Sequence, residues 1–314
     1  MATSGSYDYS VTATNVLTEA LEIIGVLPVG QTIDSNDQTT CLRSLNMMVK
    51  QWSGNFDFAP GLKAFSRKRG YVFLQSGQGS YSLGPTGDNA TLTYIKTTLS
   101  TDEALGSTSL SLTSTTGMSA SDKIGIVQND GSIHWTTISG TPGAPTTIST
   151  GLASAASSGN VVFTYTTKLI RPLYIEEAVL RNTDGDDFIA LLLMTLGQYE
   201  TIPVKGADGQ PGYYYYENSL LNGTLYLDYE PSDTTNVIRL TFMAPAEDYD
   251  AAANDIAYPQ EWYLAISYGL AKLIGPKFEA KWTDLMESNY QSALAIARTS
   301  YAENTDVYFQ PGLD

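Results

Sequence analysis

The spacing of apolar residues changes along this chain, and that change limits the folds open to it. Near both ends apolar residues recur at three- and four-residue steps, the period of a helix with one buried face. Between the ends the period falls to two, the mark of strands. Residues 14–25 place Val16, Leu17, Ala20, Leu21 and Ile24 on one stripe, with Thr14 as N-cap, Gly25 as the left-handed end and Pro28 as a block. A second helix is expected at 35–53. Ser35 and Gln38 have capping-box spacing, Cys41, Leu42, Leu45, Met48, Val49 and Trp52 form the stripe, and Gly54 ends it. The short link between the two implies an antiparallel hairpin. In the last quarter, Pro259 opens a helix carrying Trp262, Ala265, Ile266, Leu270 and Leu273, which Gly275-Pro276 stops. A final helix is expected over 277–301, with Phe278, Trp282, Leu285, Met286, Tyr290, Ala293 and Ala297 on its apolar face.

Residues 62–84 read as a β-hairpin turning near Gly77 and Gly79. Residues 88–166 are rich in Thr, Ser and Gly. GSTSLSLTS, DKIGIVQ, SIHWTTIS and NVVFTYT each alternate or run β-branched, so five or six short strands are expected there. After them come a strand or short helix at 172–181, the acidic stretch NTDGDD, a buried helix at 188–199, and the strands YYYYEN, GTLYLDYEP and NVIRLTFMAP, whose spacing suggests a meander of two or three antiparallel strands. The fold expected is α+β: an antiparallel helical bundle with a β-hairpin/meander region and an inserted small all-β domain. The body would comprise 1–87 and 167–301, the insert 88–166, and an extended tail 302–314.

Only 16% of the 314 residues are charged, and the net charge is −16. A tight sequence-reading nucleic-acid binder needs a basic footprint, which this balance excludes. An acidic channel wall that lets DNA slide remains compatible with it. The one cysteine, Cys41, excludes an intramolecular disulfide and a cysteine-built zinc site. MATSGSYDYS has neither the basic nor the apolar region of a signal peptide. The longest apolar run, Phe188 to Met194, falls far short of a membrane span. A soluble protein of a reducing compartment is expected, with no membrane partner.

Constellations that could carry chemistry are few. His134, the only histidine, lies in a strand pattern and reads as packed or surface. Cys41 falls on the apolar stripe of the second helix and reads as core. Asp184, Asp186 and Asp187 fail the EF-hand spacing and read as N-caps of the helix expected after them. Glu176, Glu177 and Glu200 could supply a glycosidase carboxylate pair, but only a structure gives their separation. Walker, Rossmann and HExxH patterns are absent from the sequence. The expectation is therefore a non-enzyme without cofactor or metal. Arg67, Lys68 and Arg69 form the strongest basic cluster, read as a solvated loop or edge strand, with contact to DNA or a partner as the alternative. In GYYYYENS, strand geometry puts Tyr213 and Tyr215 on one face and Tyr214 and Tyr216 on the other, a pattern suited to scaffold and subunit contact.

VLTEALEIIGVLPVGQTIDSNDQTTCLRSLNMMVKQWS, the stretch from QYETIPVKGADGQPGYYYY to LYLDYEP, and YPQEWYLAISYGLAKLIGPKF follow one another in an order that resembles the head-to-tail adaptor proteins of short-tailed bacteriophages. These are also called head-completion or packaged-DNA-stabilising proteins. The resemblance implies a structural virion protein at the portal–tail junction, assembled in the host cytoplasm. It would form a ring of copies, usually twelve, that docks on the portal protein, meets a tail nozzle or tail tube protein, and surrounds packaged DNA. It also implies that Tyr301, Val307, Tyr308, Phe309 and Pro311 of the tail bind the portal. The insert at 88–166 departs from minimal members. Two other readings compete: a virion-associated cell-wall or polysaccharide hydrolase, supported by the carboxylates and aromatics, and a glycan- or receptor-binding tail component, resting on the β-rich insert.

Overall fold

The computed structural model describes residues 5–54 and 64–299, and they fall into two compact units, each built here by itself. The first unit joins the N-terminal part of the chain to the part after Pro245. Its α1 (Ala13–Ile23) starts on a capping box formed by Thr12 and Asn15, two residues before the Thr14 cap expected from sequence. Gly25 takes φ +71 just past the end of the helix, and the Val26 N–H returns to the Leu21 carbonyl. These are the closing bonds that satisfy otherwise orphaned helix carbonyls. α2 (Ser35–Gly54) follows. Leu17, Leu21, Leu45, Val49, Ile266 and Leu270 are buried in one core, and Trp52, Tyr258 and Trp262 pack ring to ring beside them.

The second unit, Arg67–Ala244, is built of strands. In chain order they are β1 (Arg67–Phe73), β2 (Ser80–Leu83), β3 (Ala90–Thr91), β4 (Ile95–Thr98), β5 (Ser109–Leu110), β6 (Lys123–Val127), β7 (Ile133–Thr137), β8 (Thr146–Thr147) and β9 (Val161–Tyr165). Then come β10 (Tyr174–Arg181), β11 (Asp187–Leu193), the one short helix α3 (Leu196–Glu200), β12 (Asp208–Gly209), β13 (Tyr213–Glu217), β14 (Gly223–Leu227), β15 (Glu230–Pro231) and β16 (Val237–Met243). The first unit closes with α4 (Tyr263–Ile274), which packs against α1 and α2, and with α5 (Asp284–Thr299), which packs on α4. The last helix therefore begins later than the 277 expected, after a short 3-10 turn over Gly275–Phe278.

Sixteen strands in four sheets and only five helices, among the described residues, overturn the expectation of a helical bundle with β additions. The helices at the two ends were legible, but the body of the chain is a β structure. Its main sheet runs β2-β14-β13-β11-β10-β16-β1-β3. Laid flat, eight strands would hold the outer two about 34 Å apart at the usual strand spacing. Yet β2 and β3 are consecutive, and the chain from Leu83 to Ala90 reaches at most about 25 Å. The sheet must therefore roll toward a barrel, open along β2 and β3. Val72, Leu180, Tyr214, Leu225, Ile238 and Phe242 fill its interior.

Two local expectations also fail, and a third, the meander, holds for two of its strands. β1 and β2 are not a hairpin: β1 pairs with β16 and β3, while β2 pairs with β14. β13 and β14 do form an antiparallel pair, but β16 lies away from them, between β10 and β1. Residues 188–199 are not a buried helix, because the apolar run is strand β11 and only Leu196–Glu200 is helical.

β4, β9, β6 and β7 make a separate antiparallel sheet, with β5 and β8 as a small ladder beside it. Leu99, Leu110, Ile124, Ile126 and Val162 form its own core. This sheet is fastened to the rolled sheet by an aromatic seam. Phe73, on the face of β1 opposite Val72, lies 5.0 Å from Trp135 and Phe163, 5.5 Å from Tyr94 and 5.7 Å from Tyr165, centroid to centroid. Gln75 adds a paired amide contact: it donates to the Ile133 carbonyl and accepts from the Ile133 N–H, both at 3.0 Å. The Tyr165 hydroxyl donates to Asn89 at 2.6 Å.

Candidate functional site

The tyrosine run becomes β13, and its side chains alternate. Tyr214 is 2% exposed inside the rolled sheet. Tyr216 also packs inward, and its hydroxyl donates to the Pro172 carbonyl at 2.7 Å. Burial raises both phenols above the ordinary tyrosine range, so both stay neutral and able to donate. Tyr213 and Tyr215 point the other way, onto the outer face.

Outside, Tyr215 faces its cross-strand partner Tyr226 on β14 at 5.7 Å with the rings 18° apart. Tyr199 of α3 lies 6.1 Å from Tyr215 and 5.0 Å from Tyr226. Three mutual separations of similar size describe a triangle of rings, because a column would place its outer two members at twice the spacing of neighbours. The Lys205 ammonium stands 5.1 Å above the Tyr199 ring and also pairs with Glu200 at 3.1 Å.

Beside this cluster an apolar cleft of about 520 Å³ opens on the same face. The end of β11 supplies Leu193 and Met194. α3 and the segment after it supply Gln198, Ile202, Pro203 and Val204, and β13 supplies Tyr213. Asp228 and Tyr229 complete the wall. The Asp228 carboxylate is structural: one oxygen accepts from the Gly212 N–H at 3.0 Å and the Tyr213 N–H at 3.1 Å, fixing the chain where it enters β13. Leu193, Val204, Tyr213 and Tyr229 remain 66, 63, 47 and 43% exposed although they line one cleft.

Most of these residues were not legible as a site, because 188–199 reads as one apolar helix. The signal that separates them is Thr195-x-x-Gln198. Thr195 caps α3, with its hydroxyl accepting from the Gln198 N–H while Gln198 bonds back to the Thr195 N–H. A capping box inside an apolar run means the residues before it are something other than helix.

The other candidates are placed as follows. The expectation that Asp184, Asp186 and Asp187 cap a helix is wrong. The NTDGDD stretch is the turn between β10 and β11, with Gly185 at φ +91, and the Asn182 side chain accepts from the Asp184 and Asp186 N–H groups. Asp187 itself pairs with Arg181 at 2.8 Å and Arg239 at 3.2 Å. Glu176 pairs with Arg67 at 2.6 Å, and Glu177 with Arg239 at 3.3 Å. Arg67, Lys68 and Arg69 belong to β1 rather than to a loop, paired along its length with β16. His134 lies in β7 with Nε2 3.2 Å from the Thr150 carbonyl oxygen. Cys41 is buried on α2, and burial pushes its thiol up to about 11. Tyr301, Val307, Tyr308, Phe309 and Pro311 lie outside the described residues. Among the described residues, no group of three His, Cys, Asp or Glu side chains is placed to hold a metal ion, and no helix is long and apolar enough to cross a membrane.

Neither the known protein-family models nor the curated proteins include a match to this chain.

Proposed function

We propose that this chain is a structural assembly protein whose work is to bind other proteins, and specifically a head-to-tail adaptor that docks on the portal of a short-tailed bacteriophage. One observation carries the general reading. The cleft beside the tyrosine cluster is open and apolar, while the carboxylates suggested for catalysis are held in ion pairs with Arg67, Arg239 and Lys205. A glycosidase needs two carboxyl groups facing one substrate bond, one of them free to give up a proton. Glu176 and Glu177 stand together on the exposed side of β10, where a bulge interrupts its pairing with β16, and each is tied to a different arginine, Arg67 and Arg239.

The particular reading, adaptor rather than another assembly protein, is supported by the segment order described from the sequence. In it, self-association builds a ring, the acidic balance suits a lumen that DNA traverses, and the C-terminal segment engages the portal. The test is native mass spectrometry of the full chain with a purified portal ring. A stoichiometric complex is expected. A chain that stays monomeric and unbound at micromolar concentration would reject the adaptor role.

A further inference from the structure

We infer that the cleft bounded by Leu193, Val204, Tyr213 and Tyr229 is the docking groove for a basic, apolar segment of a partner protein. The inference rests on the reading of the chain as an assembly protein and names the chemistry of one contact.

The shape argues for a polypeptide. Pockets for small ligands cover most of the molecule they hold. Here the four wall side chains are themselves 43–66% exposed, so a small ligand would sit half in water. A peptide laid along the groove would cover both its own apolar side chains and the rim. An apolar patch left open in this way on a folded surface is the usual sign of a partner site.

The charge decides which polypeptide. From Arg181 to Asp233 the chain carries nine Asp or Glu and only two basic residues, Arg181 and Lys205. Both cations are already engaged, with Asp187 and Glu200. Asp228 is part of the cleft wall. Ala207 and Tyr229, two further wall residues, are followed directly by Asp208 and Glu230. Asp208 and Glu230 are register partners in the parallel β12–β15 ladder next to these wall residues, with Asp208 exposed and the Glu230 carboxylate lying over Gly77, Gly79 and Gly206. A second copy of this acidic chain would add repulsion, as would DNA. A segment with Lys or Arg alternating with aliphatic or aromatic side chains satisfies both the walls and the border.

The test uses the full chain and three fluorescein-labelled synthetic peptides of equal length: alternating Leu and Lys, alternating Leu and Glu, and alternating Ser and Lys. Fluorescence anisotropy is expected to show the Leu–Lys peptide binding at least tenfold more tightly than either of the others. Hydrogen–deuterium exchange should show it protecting 192–214 and 227–231. The double variant Leu193→Ser/Val204→Ser, at two exposed positions, should lose at least tenfold in affinity. Leu285→Ser, exposed on α5, should lose nothing. Equal binding of Ser–Lys would reduce the contact to charge, and equal binding of Leu–Glu would remove the role of the acidic border. Either result overturns the inference, as does protection elsewhere, absence of Leu–Lys binding, or protection of the same segments by a short DNA duplex. Peptide binding at the groove with no portal complex would reject the adaptor role and keep the groove. A portal complex unaffected by the double variant, together with no peptide binding, would do the reverse.

Discussion

Replacing Phe73 by Ala tests whether the second β-sheet is held by the aromatic seam. Phe73 is 1% exposed and has four aromatic rings within 5.7 Å. Truncating a buried phenylalanine typically costs about 3–5 kcal/mol. The ring contacts are worth about 0.5–1.5 kcal/mol each beyond buried area, and they overlap, so the upper half of that range applies here, about 4 kcal/mol. With a urea slope of about 2 kcal/mol per molar, the midpoint for this unit should fall by about 2 M. The probe is built in. Of the four tryptophans, at 52, 135, 262 and 282, only Trp135 belongs to the β unit, and it touches Phe73. A variant retaining Trp135 as its only tryptophan therefore reports the seam by fluorescence during urea titration. Phe73→Leu, which keeps much of the volume, should move the midpoint by well under half as much. If Phe73→Ala shifts it by less than about 0.5 M, the seam does not hold the sheets together and the reasoning fails.

Cys41 should resist alkylation by iodoacetamide at pH 8 in the folded chain and react fully in urea, because it is buried and its thiol is pushed up to about 11; ready labelling of the native protein would contradict its placement. Glu287 accepts hydrogen bonds from Lys272, Gln291 and Trp282, which together hold its carboxyl down at about 2. Its folded value lies below its unfolded value, so its contribution is complete above the ordinary glutamate range and is lost as pH falls from there toward 2. An NMR titration should show the low value in the native chain and a rise in Lys272→Met; an ordinary value in the native chain would refute the three-donor arrangement.

The helices were legible because each buries one face against neighbours, and that requirement prints a period in the sequence. Leu17, Leu21, Leu45 and Leu270 all lie in the core as their spacing implies. Strand existence was legible for the same reason, as at β6, β7 and β9. Strand partnership was not. Period two says that a residue faces in or out, but nothing local says that Tyr71 pairs with Arg239 rather than with the next strand along. Without partners, the rolled sheet could not be foreseen, and the long helical ends drew the expectation toward a bundle. The cleft was hidden for a related reason: its walls come from the end of β11, from α3 and the segment after it, from β13 and from the Asp228–Tyr229 pair, which come together only in the folded sheet. Tyr213 was the one member singled out in advance, through the alternation of its strand.

The pairing of β1 with β16 has a consequence for the order of folding. Arg67 and Met243, at the two ends of the β unit, are register partners on adjacent strands. The helical unit is made from the two ends of the chain, so bringing its halves together closes a loop through the whole β unit, at an entropic cost of roughly 4–5 kcal/mol for a flexible chain of that length. Once β1 and β16 have paired, that loop is already shut, and the two halves meet as if joined by a short tether. The β unit thus serves its host as a clasp. Trp135 fluorescence should recover before that of Trp52 and Trp262 in refolding, and a β unit that folds last would refute this order. Any change that loosens the clasp destabilises the helical unit through the length of the loop alone.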